Sequence, residues 1–265
     1  MYINNVLAKE AATVRSAAEM HEALNKHYTT LAQQVQGVAE GRWHLVINGP
    51  TGSGKTEFVK KVLGVYAETS PTFNSGSISA VGLYKLLYEN RAKGQVLVID
   101  DSDSIFDSTE AVEVLKAALD TQPSKTVSWT KYSQALAKDG VPTEFVYEGR
   151  IIIITNRVMD RKTPKNKVDR QLMPLWSRTM FFAAGLPNRA WEVESIKMFY
   201  AAGQVRCFVE KQISAEGQRE IIDFVETHKE ELNDINFRLL SQLSDLYLAF
   251  GKDGSWKDHA RMGLC

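Results

Sequence analysis

A glycine-rich stretch, GPTGSGKT at residues 49–56, constrains the fold of this chain more than any other feature. It follows an apolar run, WHLVING (43–49), and precedes TEFVKKVLGVYAE (56–68), which has the periodicity of an amphipathic helix. The pattern G-x-x-x-x-G-K-[ST] between a strand and a helix predicts a loop whose backbone N–H groups surround phosphate oxygens. The N-terminus of the following helix favours the same anion. The residues expected to hold a nucleotide are Gly49, Pro50, Thr51, Gly52, Ser53, Gly54, Lys55 and Thr56.

Within this loop, two side chains have distinct expected roles. Lys55 is expected to reach the β- and γ-phosphates, and Thr56 to offer its hydroxyl to Mg²⁺. A glycine turn that matches the pattern without binding phosphate is the alternative, but it would not require the flanking strand and helix.

Carboxylates follow a second apolar run, VLVIDD at residues 96–101. Asp100 is expected to hold Mg²⁺, mostly through water, because Mg²⁺ keeps much of its hydration shell. Asp101 is expected to orient or activate an attacking water, and an ordinary solvated loop acid is its alternative. Asp103 is expected to cap a helix or lie at the surface, although it could substitute in part for Asp101.

Strand and helix patterns alternate along the chain as far as residue 186. Helical patterns cover 78–92 and 108–121, and the strand patterns are 95–101, 126–129, 143–149, 150–156 and 178–184. Such alternation predicts a parallel sheet covered by helices on both faces. Residues 5–40 are also helical in composition, and beyond Pro187 the patterns near 189–203, 215–232, 235–250 and 255–262 are all helical. The predicted organisation is an N-terminal helical segment (1–41), an α/β core (42–186) and a small helical domain (187–265).

Composition narrows the class of protein. The 265 residues have a formal net charge of zero, so a nucleic-acid contact would need a local basic patch. Cys207 and Cys265 are the only cysteines and provide no disulfide framework. The N-terminal residues lack a signal-peptide pattern, and the purest apolar run, 151–154, is too short to cross a bilayer. We therefore expect a cytoplasmic protein without membrane contact, and the spacing of histidines and cysteines predicts no transition-metal site.

These motifs together resemble those of the AAA+ branch of P-loop ATPases, over residues 42–265. GPTGSGKT is similar to the family's Walker A motif and VLVIDD to its Walker B motif, with Asp101 where most members carry Glu. IIIITN (151–156) resembles the sensor 1 strand, PLWSRTMFF (174–182) the arginine-finger segment, and INFRLL (235–240) sensor 2. The resemblance implies a P-loop αβα sandwich with a parallel sheet, followed by a small all-helical lid domain.

The resemblance also implies roles for three further residues. Asn156 would help to position the attacking water, Arg178 would stabilise the transition state in an adjacent subunit, and Arg238 would contact the nucleotide from the lid. The residues alone leave alternatives open: Asn156 as a turn residue, Arg178 as the partner of a carboxylate in its own chain, and Arg238 as a surface cation. The implied activity is ATP hydrolysis with ATP and Mg²⁺ at the subunit interfaces of a homo-oligomeric ring or filament, typically a hexamer.

Two segments are candidates for a contact with DNA. TVSW (126–129) and TEFVYEG (143–149) resemble the pre-sensor-1 β-hairpin, and the tip at 130–140 contains Lys131, Tyr132 and Lys138. A cation beside an aromatic ring suits single strands, whose backbone and bases it can both contact. The basic loop 157–170 carries Arg157, Arg161, Lys162, Lys165, Lys167 and Arg170 against Asp160 and Asp169. Its alternatives are contact with a neighbour's nucleotide and a plain solvated surface.

The resemblance favours DNA remodelling, translocation or helicase loading, because members with that hairpin are often helicases, branch-migration motors or unfoldases. Small phage-encoded AAA+ ATPases are also similar, which implies the cytoplasm of a bacterium or a phage-infected host. Two other functions stay open: an ATP-gated oligomeric scaffold with low turnover that recruits a protein partner, and a monomeric P-loop kinase for a small molecule. The N-terminal segment is expected to pack against the core, and a contact with another subunit or a partner is its alternative.

Overall fold

The computed structural model describes residues 7, 11–12, 16–122, 125–157, 167–251 and 254–265, with the side chains of 167–169 outside this description. The chain divides into two compact units. One comprises residues 29–50 and 55–184, and the other comprises residues 51–54, 185–265 and the described part of 3–28. In the described ranges, every helix is too short or too polar to cross a membrane.

A five-stranded parallel sheet forms the centre of the first unit. Its strands are β1 (Leu45–Asn48), β2 (Thr72–Ser75), β3 (Val96–Asp100), β6 (Arg150–Thr155) and β7 (Met180–Ala183). Their order in the sheet is β2-β3-β6-β1-β7. A separate antiparallel pair consists of β4 (Thr126–Ser128) and β5 (Glu144–Val146). Because all strands of the main sheet run in one direction, their carboxyl ends share one edge, and that edge carries the loop at 49–56.

Helices cover both faces of this sheet. They are α1 (Ala17–Ala39), whose second half lies in this unit, α2 (Lys55–Tyr66), α3 (Ala80–Glu89), α4 (Thr109–Ala118), α5 (Gln134–Lys138) and α6 (Lys167–Ser177). Successive side chains of β6 alternate between the two faces. Ile151 and Ile153 belong to the apolar cluster that includes α3, α4 and α6, whereas Ile152 and Ile154 belong to the cluster with α1 and α2. Each such fully buried side chain stabilises the sandwich by about 1.5–3 kcal/mol.

The second unit is helical in its described part. Its helices are the first half of α1 followed by α7 (Arg189–Ala201), α8 (Arg206–Glu210), α9 (Ala215–Thr227), α10 (Phe237–Phe250) and α11 (Trp256–Leu264). Trp256 and Phe224 lie in its main apolar cluster, and Leu24 of α1 packs with Trp191 in a smaller one. The α/β core with a helical C-terminal region confirms the predicted fold class.

Some elements differ from the sequence prediction. β2, with the sequence TFNS, was not predicted, because an edge strand that is only half buried need not be apolar. The hairpin tip contains α5 rather than an irregular loop. The basic loop predicted for 157–170 gives way to α6 at Lys167, and Pro174 lies inside that helix. PLWSRTMFF therefore begins as helix, and only its residues from Met180 onward form strand β7.

Candidate active site

The loop at 49–56 joins the end of β1 to the first residue of α2. Gly52 and Gly54 have positive φ angles of 77° and 80°, a left-handed backbone that glycine adopts without a Cβ penalty. This is the conformation in which successive N–H groups can surround an anion. The local backbone thus agrees with what the glycine pattern requires.

Lys55 is the first residue of α2, and its side chain contacts the carbonyl oxygens at the start of this loop. Its side chain is only 7% exposed. The Nζ atom donates to the carbonyl oxygens of Gly49 (3.1 Å) and Pro50 (2.7 Å) and to Oδ1 of Asn156 (2.9 Å). The ammonium group is therefore held by oxygen acceptors at the carboxyl edge of the sheet.

Thr56 and Asp100 form a pair beside this lysine. The Thr56 hydroxyl donates to Oδ2 of Asp100 over 2.7 Å, whereas Oδ1 of Asp100 is buried without a hydrogen-bond partner within the described structure. Burial raises the pKa of the Asp100 carboxyl, the Thr56 hydrogen bond opposes this, and the charge of Asp101 raises it further. An unpartnered buried carboxylate oxygen next to a hydroxyl fits a hard cation such as Mg²⁺.

Asp101 adopts a strained backbone conformation at the end of β3. Its φ of 50° lies in the left-handed region, at a cost of about 1 kcal/mol for a residue other than glycine. Its N–H donates to the Ile154 carbonyl (3.2 Å), and its Oδ1 accepts from Nδ2 of Asn156 (2.5 Å). The amide of Asn156 therefore connects Asp101 to Lys55, so three predicted catalytic side chains form one hydrogen-bonded line.

A second polar network holds the turn that carries Asn156. Thr155 donates from Oγ1 to Oδ1 of Asp103 (2.5 Å) and accepts the N–H of Arg157 (3.0 Å), whose carbonyl accepts from Nδ2 of Asn48. Asp103, expected as a helix cap or a surface acid, is half exposed and is the first residue of a short 3-10 helix (Asp103–Phe106) that follows the N-cap Ser102. Its carboxylate also accepts from the Thr155 hydroxyl. Asn48 and Thr155 were not identified from the sequence. Their signal is a buried polar residue directly after a run of buried apolar residues, at the end of a strand.

Little of the basic loop belongs to the described residues. Arg157 donates to Oδ1 of Asp107 (2.9 Å), and Arg170 is exposed on α6. Arg161, Lys162, Lys165 and Asp160 lie outside the described residues, as do the side chains of Lys167 and Asp169. The proposed phosphate contacts of this segment therefore stay a prediction.

Arg178 follows the end of α6 and precedes β7. Its Nη1 donates to the Pro174 carbonyl (2.8 Å), and its Nη2 lies 4.0 Å from Oδ2 of Asp120. Met180, the first residue of β7, pairs with the first residue of β1, whereas the N–H of Ala184 binds the last residue of β1. Arg178 therefore lies at the amino edge of the sheet, and the line from Lys55 to Asp101 lies at the carboxyl edge.

Arg238 occupies the second position of α10 in the second unit and is exposed. The N-terminus of this helix contacts the phosphate loop, because the N–H of Phe237 donates to the Gly52 carbonyl (3.1 Å). A Cβ atom on Gly52 would lie within 2.8 Å of the Asn236 side chain. Both Gly52 and α10 belong to this unit.

The tip between β4 and β5 presents an aromatic side chain to solvent. Tyr132 is 88% exposed, whereas Lys131 donates to Oε1 of Glu110 (2.8 Å) and Lys138 is exposed at the end of α5. Of the predicted contact residues, Tyr132 and Lys138 are therefore accessible, and Lys131 has a carboxylate partner.

Solved structures of other proteins share the fold of this chain. No protein-family model matches the chain. A RuvB variant from Thermotoga maritima is 16% identical with a TM-score of 0.50, and the match covers 87% of this chain and 64% of that chain. The fold is that of an AAA+ P-loop ATPase. This chain spans less than two thirds of the length of the RuvB chain. The Thermotoga maritima RuvB protein is described as a Holliday junction branch migration motor.

Two further similarities were found. An uncharacterised 36.7 kDa protein from the nrdC–mobD intergenic region of Enterobacteria phage T4 is 28% identical over 252 residues, which covers 92% of this chain and 75% of that protein. A DNA replication initiation factor is 16% identical, with a TM-score of 0.46 and coverage of 88% of this chain and 64% of that chain.

Proposed function

We propose that this chain hydrolyses ATP to ADP and phosphate at its phosphate loop. The observation that carries this proposal is the hydrogen-bonded line from Lys55 through Asn156 to Asp101, with the Thr56–Asp100 pair beside it. A nucleotide phosphate cradle, a site for a hard cation and a carboxylate near both are the parts that phosphoryl transfer requires.

Each side chain has a proposed task in this reaction. The donors of Lys55, now directed at loop carbonyls and Asn156, would turn to the β- and γ-phosphate oxygens. Thr56 and Asp100 would hold Mg²⁺, which when bound neutralises charge on the phosphates. Asp101, oriented by the Asn156 amide, would accept a hydrogen bond from the attacking water. The water oxygen would bond to the γ-phosphorus while the bond from that phosphorus to the β,γ-bridging oxygen of ADP breaks.

We further propose that hydrolysis takes place at interfaces between copies of the chain. Arg178 lies at the amino edge of the parallel sheet, whereas its own phosphate loop lies at the carboxyl edge. A cation placed there is suited to the phosphates of an adjacent subunit in a ring or filament, for which a hexamer is the proposed size. The 4.0 Å separation from Asp120 leaves Arg178 with a weak partner in its own chain.

The proposed organisation keeps the extents given above: a helical segment (1–41), an ATPase core (42–186) and a helical lid (187–265). Arg238 is proposed as a nucleotide contact from the lid. Its exposure, two residues after the Asn236 that packs against Gly52, supports this role.

DNA is the proposed substrate of the motor, in remodelling, translocation or helicase loading. The support is the exposed ring of Tyr132, because an aromatic side chain at a hairpin tip can stack on the bases of a single strand. Lys138, exposed on the same tip, would contact the backbone.

An ATP-gated scaffold with low turnover is the second candidate. The observation that favours it is Asp101 itself, since its short carboxylate is already engaged by Asn156. ATP-dependent assembly without measurable phosphate release from the wild-type chain would select the scaffold over the motor.

Binding and hydrolysis of Mg·ATP by two variants test the proposal. Lys55→Ala should lose nucleotide binding or hydrolysis, and Asp101→Asn should still bind but hydrolyse about a hundredfold more slowly. Lys61→Ala, at an exposed lysine of the same helix, is the matched control. Unchanged activity of Lys55→Ala would show that the loop is not the site, and retained turnover of Asp101→Asn would move the catalytic role to Asp103 or elsewhere.

A further inference from the structure

Two buried polar side chains, Asn48 and Thr155, hold the turn that carries Asn156, and no proposed step of ATP hydrolysis uses them. Asn48 is the last residue of β1, and Thr155 is the last residue of β6. The two residues are register partners in the parallel sheet, and both are 0% exposed. Burying a polar side chain costs free energy unless it is hydrogen-bonded, so the partners of these two side chains indicate their role.

The peptide units on both sides of Asn156 are fixed by hydrogen bonds. The unit before it contains the Thr155 carbonyl, which accepts the N–H of Gly49 over 3.2 Å. The unit after it contains the N–H of Arg157, which donates to Oγ1 of Thr155 over 3.0 Å. Nδ2 of Asn48 donates to the Arg157 carbonyl and so fixes the next unit as well. Because each peptide unit is planar, these bonds determine where the Cα–Cβ bond of Asn156 points.

Asp103 determines the orientation of the Thr155 hydroxyl. That hydroxyl donates to Oδ1 of Asp103 over 2.5 Å. A hydroxyl group has one donor and two acceptor lone pairs, so this bond leaves only lone pairs for the N–H of Arg157. A hydrogen bond to a carboxylate is about twice as strong as one between neutral groups. The segment after β3 therefore holds the turn after β6 through a single threonine side chain.

We propose that Thr155 and Asn48 are positioning residues, which act on ATP hydrolysis through the side chain of Asn156. The inference rests on the proposed function of the phosphate loop. Oδ1 of Asn156 accepts from Nζ of Lys55 over 2.9 Å, and its Nδ2 donates to Oδ1 of Asp101 over 2.5 Å. A tilt of the turn would move this amide away from both groups. Because a displacement of about 1 Å can lower a rate by about a hundredfold, small changes in this turn affect catalysis strongly.

Steady-state ATP hydrolysis by variants of the two residues tests this role. Thr155→Val has nearly the same shape without the hydroxyl, and it should lower kcat by about tenfold or more. KM should change by less than about twofold, because the phosphate loop itself holds the nucleotide. Thr155→Ser keeps the hydroxyl and should retain most of the wild-type kcat. Asn48→Leu should act like Thr155→Val. Oδ1 of Asn48 has no hydrogen-bond partner among the described residues, so this variant loses only the side-chain bond to Arg157.

The matched control is Thr69→Val. The Thr69 hydroxyl donates to the Gly94 carbonyl over 3.2 Å. Both residues precede strands of the main sheet, so they lie at the edge opposite the phosphate loop. This variant also exchanges a hydrogen-bonded hydroxyl for a methyl group, and it should leave kcat and KM unchanged.

A second substitution, at Asn156, distinguishes positioning from a general loss of stability. In an Asn156→Ala background, Thr155→Val should lower kcat no further, because the side chain that Thr155 positions is absent. The same cycle with Asn48→Leu is an independent test that does not require Thr155→Val to fold. Equal fold-losses in the two backgrounds, an unchanged kcat of Thr155→Val, or a loss in Thr155→Ser as large as that in Thr155→Val overturns the inference.

The NMR signals of the Asn156 side-chain amide separate this inference from the proposed function. In the whole chain with isotope-labelled asparagine, they are the pair that Asn156→Ala removes. Thr155→Val should shift this pair and leave that of Asn188, the N-cap of α7, in place. A shift in a chain that releases no phosphate supports the positioning of Asn156 and refutes the proposed hydrolysis. An unshifted pair refutes the positioning, whether or not the chain hydrolyses ATP.

Discussion

Mixing two inactive variants should restore ATP hydrolysis if Arg178 acts on an adjacent subunit. In one chain, Met180 pairs with the first residue of β1, and Ala184 binds the last residue of β1, which precedes the phosphate loop. The four residue-to-residue steps from Met180 to Ala184 span about 13 Å. Arg178 lies two residues before Met180, beyond the far end of that span. An extended arginine side chain reaches about 7 Å, so the guanidinium group cannot contact phosphates held by Lys55 of the same chain.

The size of the expected recovery follows from the fraction of mixed interfaces that keep both residues intact. Arg178→Ala should lower hydrolysis by about a thousandfold or more, the range for an arginine finger, and Lys55→Ala should remove the phosphate site. In a random one-to-one mixture, an intact Lys55 meets an intact neighbouring Arg178 at about a quarter of the interfaces. Steady-state phosphate release at constant total protein should therefore peak near an equal ratio, at about a quarter of the wild-type rate.

The control and the refuting result are both available in the same assay. A mixture of Lys55→Ala with Asp101→Asn should not recover, because both changes damage the same half of the interface. If mixtures of Arg178→Ala with Lys55→Ala follow a straight line between the two single variants, although size measurements show mixed oligomers, Arg178 does not act on a neighbour. Its role would then be confined to the contact with Asp120.

Three further predictions concern stability and DNA. Gly52 and Gly41 both have positive φ, so replacing either with alanine should lower the free energy of unfolding by about 1 kcal/mol. At Gly52 the new Cβ would also meet the Asn236 side chain, whereas the space at Gly41 is open. Urea unfolding should therefore show the larger loss for Gly52→Ala. The free energy of unfolding should fall by up to about 1.4 kcal/mol per pH unit as pH drops below about 6.5, because the unfolded chain takes up a proton that buried His44 does not. His44→Gln should flatten this dependence, and an unaltered slope would contradict it. Tyr132→Ala should weaken single-strand DNA binding by about 1–3 kcal/mol in a titration without changing unfolding; equal affinity would exclude stacking there.

The α/β core could be predicted because its central strands are short apolar runs separated by helical patterns. Four successive isoleucines, 151–154, alternate between the two faces of the sheet, and a strand covered on both faces has to be apolar throughout. The phosphate loop could be predicted for a different reason, since its glycine spacing encodes the local backbone directly.

β2 and α6 could not be predicted, because tertiary packing determines both. The strand TFNS is half buried and lacks the periodicity that identifies a strand. In α6, the charged first turn suggests a loop and Pro174 suggests a break, yet Leu172, Leu175 and Trp176 are buried in the core. The stability of this helix comes from that apolar face rather than from local propensity.

Motifs in the sequence identify some residues of the site, but only the folded structure shows which side chains contact each other. Lys55 and Asn156 are 101 positions apart, and each was identified by its place after a strand, although their hydrogen bond was not. Lys125 and His44 are 81 positions apart, and neither belongs to a motif. His44 contacts Lys125 through Nε2, while its Nδ1 accepts the backbone N–H of Ile151. A residue that binds a ligand directly can be identified by a motif, whereas a residue whose reactivity is set by its neighbours becomes visible only when those neighbours are in contact.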